Sequence, residues 1–305
     1  MKKLSKTGQL LVDSHMKKNA RELERALYDY YFHHEDVSCI IEPLKFYQNE
    51  DGGFGKGIEP DFWLRDSSPM ATSIGLKYLR LVDHLVEGKE MIKRAVNYLE
   101  NSYDEERKGW LCVPESVNDY PHAPWWTFDK DKNMTIIDQN WGNPSAELIG
   151  YLYLYKKYVE KLNVQEMIDQ AIHHYNDSSD YESEHEVYCY IRLYNNIDKQ
   201  NKIKLEAQLK HAINNLINPK MEEWVSYVPM PLNFVEEDSE NLFDMKIKDI
   251  TANLNFFVEL LEEKEQIEPA WMWNDYLESW QEAKKQWTGI LTLETMLKLR
   301  KFDRI

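Results

Sequence analysis

The chain has 305 residues, 43% of them hydrophobic, and a formal net charge of −16. That composition supports a folded core and excludes a disordered chain, while the excess of carboxylates disfavours nucleic acid and anionic membrane surfaces as general partners. No apolar run approaches the roughly 18 residues of a membrane span, and the basic start Met1-Lys2-Lys3 lacks the apolar stretch of a signal peptide. Cys39, Cys112 and Cys189 are scattered and odd in number, so the expectation is a reduced, cytoplasmic protein without a disulfide framework.

Residues 1–16 read as a loose N-terminal segment of a single domain spanning 1–305. Apolar residues then recur at helical spacing almost everywhere. The predicted helices lie near 17–32, 36–48, 69–85, 88–103, 144–161, 164–176, 183–196, 200–217, 247–263, 270–285 and 288–302. Ile74, Tyr78, Leu81 and Leu85 form one such stripe, and Ile250, Leu254, Phe257 and Leu261 another. Ser68-Pro69 and Asn143-Pro144 supply start signals, because proline at the first helical position gives up an N–H that would be unpaired anyway. No convincing alternation of apolar and polar residues suggests a sheet, so the fold class is all-α.

Three loops punctuate the helices, near 49–68, 104–143 and 218–246. Their openings resemble one another. Gln48-Asn49-Glu50-Asp51-Gly52-Gly53-Phe54-Gly55, Tyr103-Asp104-Glu105-Glu106-Arg107-Lys108-Gly109-Trp110 and Asn218-Pro219-Lys220-Met221-Glu222-Glu223-Trp224 each place an aromatic after a polar turn. This is the mark of repeated helical hairpins, which must stack to bury their apolar faces.

The first of these turns, followed by Ser68-Pro69-Met70-Ala71-Thr72, resembles the Q-x-x-D-G-G-F/W-G repeat of the terpenoid cyclase and protein prenyltransferase superfamily, squalene cyclase-like proteins included. The resemblance implies an α/α toroid, a barrel of helical hairpins with long loops covering one end of a central cavity. Within the motif, Gln48, Asp51, Gly52, Gly53, Phe54 and Gly55 are expected to act structurally. The catalytic signatures of the superfamily are missing. The nearest string to D-x-D-D is Asp129-Lys130-Asp131-Lys132, and Asp36 and Cys39 are three apart where the prenyltransferase zinc site spaces them by two. The acidic run Glu236-Glu237-Asp238-Ser239-Glu240 is not D-D-x-x-D. No cofactor is therefore predicted, with zinc and magnesium left open. A transferase or cyclase and a non-catalytic binder both remain as readings.

The chain is rich in aromatics, with ten tryptophans and 19 tyrosines. Many of them cluster in the loops. Trp63, Trp125, Trp126, Trp141 and Trp224 are the candidate walls of a ligand site, since indoles bury apolar area, stabilise cations and stack on sugar rings. His122 and Asp66 are the candidate acid–base groups. The expected ligand is a small hydrophobic molecule, with an isoprenoid implied by the resemblance. A glycan is the alternative, because glycoside hydrolases and polysaccharide lyases also use toroids and Asp61, Asp66, Asp119 and Asp138 could supply a carboxylate pair. The sequence does not disclose an oligomeric state.

Overall fold

A computed structural model of the chain describes residues 1–178, 181 and 183–305. Among these, the regular structure is helical: eleven α-helices, short 3-10 turns and a few isolated bridges, with no strand. The described residues group into two compact units, one formed by Met1–Pro43 with Asn214–Ile305 and the other by Leu44–Ile213.

In the first unit, α1 (Lys6–Asn19) and α2 (Glu22–His33) pack with α10 (Ile247–Lys264) and α11 (Leu277–Lys301). The N-terminal segment is thus not loose. Gly8, Val12 and Met16, four residues apart, are buried on one stripe of α1, and Leu4 is buried just before it. Ser5 caps the helix by accepting a hydrogen bond from the Gly8 N–H at 2.9 Å, and its own N–H donates to Glu262 at 2.5 Å. The abundant lysines around it hide this stripe from a composition-based reading.

A second correction concerns the C-terminal end. The two helices expected at 270–285 and 288–302 are one 25-residue helix, α11, and 269–276 is loop. Gly289 does not break α11. Its missing Cβ admits Ala20, whose own Cβ would lie 3.1 Å from a side chain at that position.

The second unit holds α4 (Pro69–Leu79), α5 (Val86–Asn101), α6 (Gly142–Leu154), α7 (Val164–Asp177) and α8 (Glu184–Asn196). The boundaries between the units fall within α3 (Ile41–Tyr47) and α9 (Lys199–Leu216). The most extensive helix pairing joins α6 to α8. Of the two expected start signals, Ser68-Pro69 acts as its chemistry requires, with Ser68 Oγ accepting from the Ala71 N–H at 3.1 Å, whereas the Asn143 side chain makes no cap hydrogen bond to α6; Asn163 and Ser183 cap α7 and α8. Between α3 and α4, α5 and α6, and α9 and α10 run the long loops, which contain only short 3-10 turns and bridges.

Candidate functional site

The glycine-rich turn is a fastener. The Gln48 side-chain amide donates to the carbonyls of Gly52 at 2.8 Å and Met91 at 2.9 Å, so it closes the turn and ties it to α5. Asp51 accepts from the Gly53 N–H at 3.0 Å and from Ser67 Oγ at 2.7 Å. Gly52 sits at φ +96°, and a Cβ there would lie 2.3 Å from the Arg94 carbonyl. Phe54 is fully buried against Gly75 of α4, and its N–H donates to Thr72 Oγ1 at 3.0 Å. The aromatics closing the two similar turns behave likewise. Trp110 is fully buried, with its indole N–H on the Leu99 carbonyl at 2.9 Å, and Trp224 is buried with its N–H on Asn218 at 2.8 Å.

The first two long loops interlock. The Trp63 N–H donates to the Pro121 carbonyl at 2.9 Å and the Ala123 N–H to the Asp61 carbonyl at 2.7 Å, forming a bridge between Phe62 and His122. Trp126 packs edge-on against Phe62, with ring centroids 4.9 Å apart. Trp63, His122, Trp125 and Trp126 are thereby gathered on one loop pair although about 60 residues separate them. Trp63 and Trp125 are half-buried, and the Trp63 indole donates to Pro60 at 3.2 Å. Trp126 is buried, and its indole N–H finds no hydrogen-bond partner.

His122 is buried and anchored at both ring nitrogens. Nδ1 lies 2.6 Å from the Tyr120 carbonyl, which can only accept, so Nδ1 carries the proton. Nε2 lies within hydrogen-bond distance of Thr127 Oγ1, at 3.1 Å. This arrangement folds the loop 120–127 around the imidazole. Asp66 is exposed, and Ser116 Oγ donates to its carboxylate at 3.4 Å.

Trp141 points elsewhere. Its N–H donates to the Arg107 carbonyl at 3.1 Å, and its ring lies 4.8 Å from that of His174 on α7. This contact leads to a group with no signal in the sequence. His174 Nε2 is 4.0 Å from Glu186 Oε1, which accepts from the Gly142 N–H at 2.7 Å ahead of the helical run of α6. Burial raises the Glu186 carboxyl above its ordinary value, against the opposing pull of the Gly142 N–H, His174 and Arg107. Trp224, the last of the candidate walls, belongs to the first unit, where it packs edge-on against Phe256 of α10 at 5.6 Å.

Beneath α6 lies a buried polar node that sequence reasoning also missed. Glu147 accepts from Tyr151 Oη at 3.0 Å and pairs with Arg192 at 2.8 Å. Cys189 Sγ donates to Asn143 Oδ1 at 3.6 Å, and Cys112 Sγ to the Asn143 carbonyl at 3.3 Å. Both thiols are pushed well above their ordinary range by burial and by nearby carboxylates, Glu147 and Asp138 respectively. Asp138 is buried and fully engaged, accepting from the N–H groups of Cys112 and Thr135 and from Thr135 Oγ1. Protonated buried thiols are poor nucleophiles and poor metal ligands. Among the described residues, no group of three or more His, Cys, Asp or Glu side chains is placed to hold a metal ion.

A cavity of about 520 Å³ is lined by Lys2, Lys3, Val258, Glu259, Glu262 and Glu263, and none of the candidate tryptophans borders it. Among the described residues, no helix is long and apolar enough to cross a membrane. The chain matches no protein-family model, no curated protein and no solved structure.

Proposed function

We propose that this is a small-molecule-binding protein of the α/α toroid type that its glycine-rich motif resembles, taking an apolar, isoprenoid-like ligand at the loop pair of Trp63, His122, Trp125 and Trp126. The observation that carries the reading is the interlock of residues 61–63 with 121–123, which holds together by backbone hydrogen bonds the two loops that carry Trp63, Trp125 and Trp126. Two of these indoles keep exposed surface, and the third holds an N–H without a partner. Such a set offers apolar area, cation–π faces and one donor for a ligand oxygen. His122, with both nitrogens engaged, supports binding and positioning more than proton transfer. A transferase or cyclase activity would need acid–base groups beyond it. Three unpaired cysteines fit a reduced, cytoplasmic setting.

Titration with farnesyl diphosphate, followed by calorimetry, tests the reading. Trp126→Phe removes the indole N–H together with one ring of the bicycle and should keep the fold by circular dichroism. Loss of a hydrogen bond to a charged oxygen, about 1.5–3 kcal/mol, should weaken affinity at least roughly tenfold. Trp125→Ala should weaken it further through lost apolar contact. Equal affinity in wild type and both variants would refute the site. Binding of cellohexaose in place of the diphosphate would move the assignment to the glycan reading.

A further inference from the structure

In the first unit, two loops expose an unusual amount of apolar surface side by side. The loop 218–229 is pinned by the buried Trp224, and the loop 269–276 by the buried Trp273, whose ring lies 5.9 Å from Trp280 of α11. Around these anchors the neighbouring side chains face outward. Met221, Val225, Tyr227, Met272, Tyr276 and Leu277 are each between 45% and 75% exposed. The loops meet edge-on through Tyr227 and Trp271, 5.6 Å apart, and Trp271 continues to Trp287 of α11 at 5.1 Å. Scattered exposed apolar residues need no explanation, but five large ones on two joined loops, with Leu277 opening α11 beside them, make a patch of the kind that marks an interaction surface.

Carboxylates outnumber the cations around the patch. Glu222, Asp275 and Glu278 are exposed beside its apolar residues. Lys220 and Lys284 are already paired with Glu223 and Glu268, and Lys285 is the further exposed cation. An acidic rim on a chain of net charge −16 repels a second copy of itself and an anionic bilayer. It attracts a partner carrying apolar side chains flanked by lysine or arginine, whose long stems can lie on the patch while the charged heads meet the rim. We infer that this surface docks a cationic amphipathic segment of another protein. The inference involves none of the residues of the proposed ligand site.

The test uses the full chain and a fluorescein-labelled 18-residue peptide of leucine and lysine, patterned as an amphipathic helix, with anisotropy as the readout. Wild type should bind it, with affinity falling as salt is added. Val225→Ser with Leu277→Ser should weaken binding at least roughly tenfold by removing apolar contact, and Glu222→Lys with Glu278→Lys by reversing the rim. Circular dichroism and melting temperature confirm that both double variants remain folded. No binding, or equal binding by wild type and both variants, would overturn the inference. Two other results would also overturn it: a wild-type dimer in sedimentation that the serine variant dissolves, and flotation with phosphatidylcholine vesicles that the serine variant abolishes.

Discussion

Arg192 reaches the buried Glu147 carboxylate at 2.8 Å, and the contact decides how that charge is tolerated. Removing the arginine leaves the carboxylate with the Tyr151 hydroxyl as donor and the Cys189 sulfur 3.8 Å away. Arg192→Ala should therefore cost about 3 kcal/mol in urea unfolding, and restoring neutrality with Glu147→Gln in the same chain should recover part of the loss. Additive losses in the double variant would show that the two side chains act independently. Glu186 makes the opposite case. Its folded pKa is raised, chiefly by burial, above the ordinary glutamate value of 4.5. Its contribution to stability is therefore full below that value and fades as pH rises through the folded pKa. Glu186→Gln imitates the protonated form, and its amide oxygen can still accept from Gly142. The variant should match wild type in melting temperature near pH 4 and exceed it at pH 7. A variant less stable than wild type at pH 7 would mean that the anionic acceptor for the Gly142 N–H outweighs the cost of burial.

At the scale of elements, α1 shows what a cap adds. Ser5 joins its own helix to α10, through the Gly8 N–H and through Glu262. Ser5→Ala keeps the backbone bond to Glu262 but loses the hydroxyl, and should cost about 1 kcal/mol in denaturant midpoint experiments. An unchanged midpoint would mean that α1 frays without affecting the fold. Helices with a dense apolar stripe, such as α5, α7 and α10, were legible because periodicity is local. The polar turn closed by an aromatic was legible for the same reason, and Phe54, Trp110 and Trp224 are all buried. Helix α1 was not, since its stripe is thin and its lysines dominate. Neither was the continuity of α11 from Leu277 through Gly289, where the close approach of Ala20 comes from the far end of the chain. The candidate site was legible only as a list of residue types. Nothing in the sequence says that Trp63 bonds to Pro121, or that Glu186 reaches back 44 positions to accept from Gly142, because such pairings have no period.

For the molecule as a whole, the three thiols report how charge and burial are distributed. Cys112 and Cys189 are buried in one unit, while Cys39 in the other is half-exposed. Burial raises the Cys39 thiol, and Asp29, Glu35 and Asp36 raise it further. A thiol reacts as its thiolate, so a raised pKa slows attack even where access allows it. The native chain should expose one thiol to a dianionic disulfide reagent, and slowly, with the other two appearing only on unfolding. The rate should climb with pH as the thiolate forms. It should also climb with salt, for two reasons that act together. Screening weakens the local carboxylates that oppose ionisation, and it weakens the repulsion between an anionic reagent and a chain of charge −16. A neutral reagent such as iodoacetamide feels only the first effect, so its salt dependence should be the smaller. Equal salt dependence for the two reagents would assign the slow reaction to the local environment of Cys39 alone, and fast reaction of all three thiols would mean that the node beneath α6 opens in the native state.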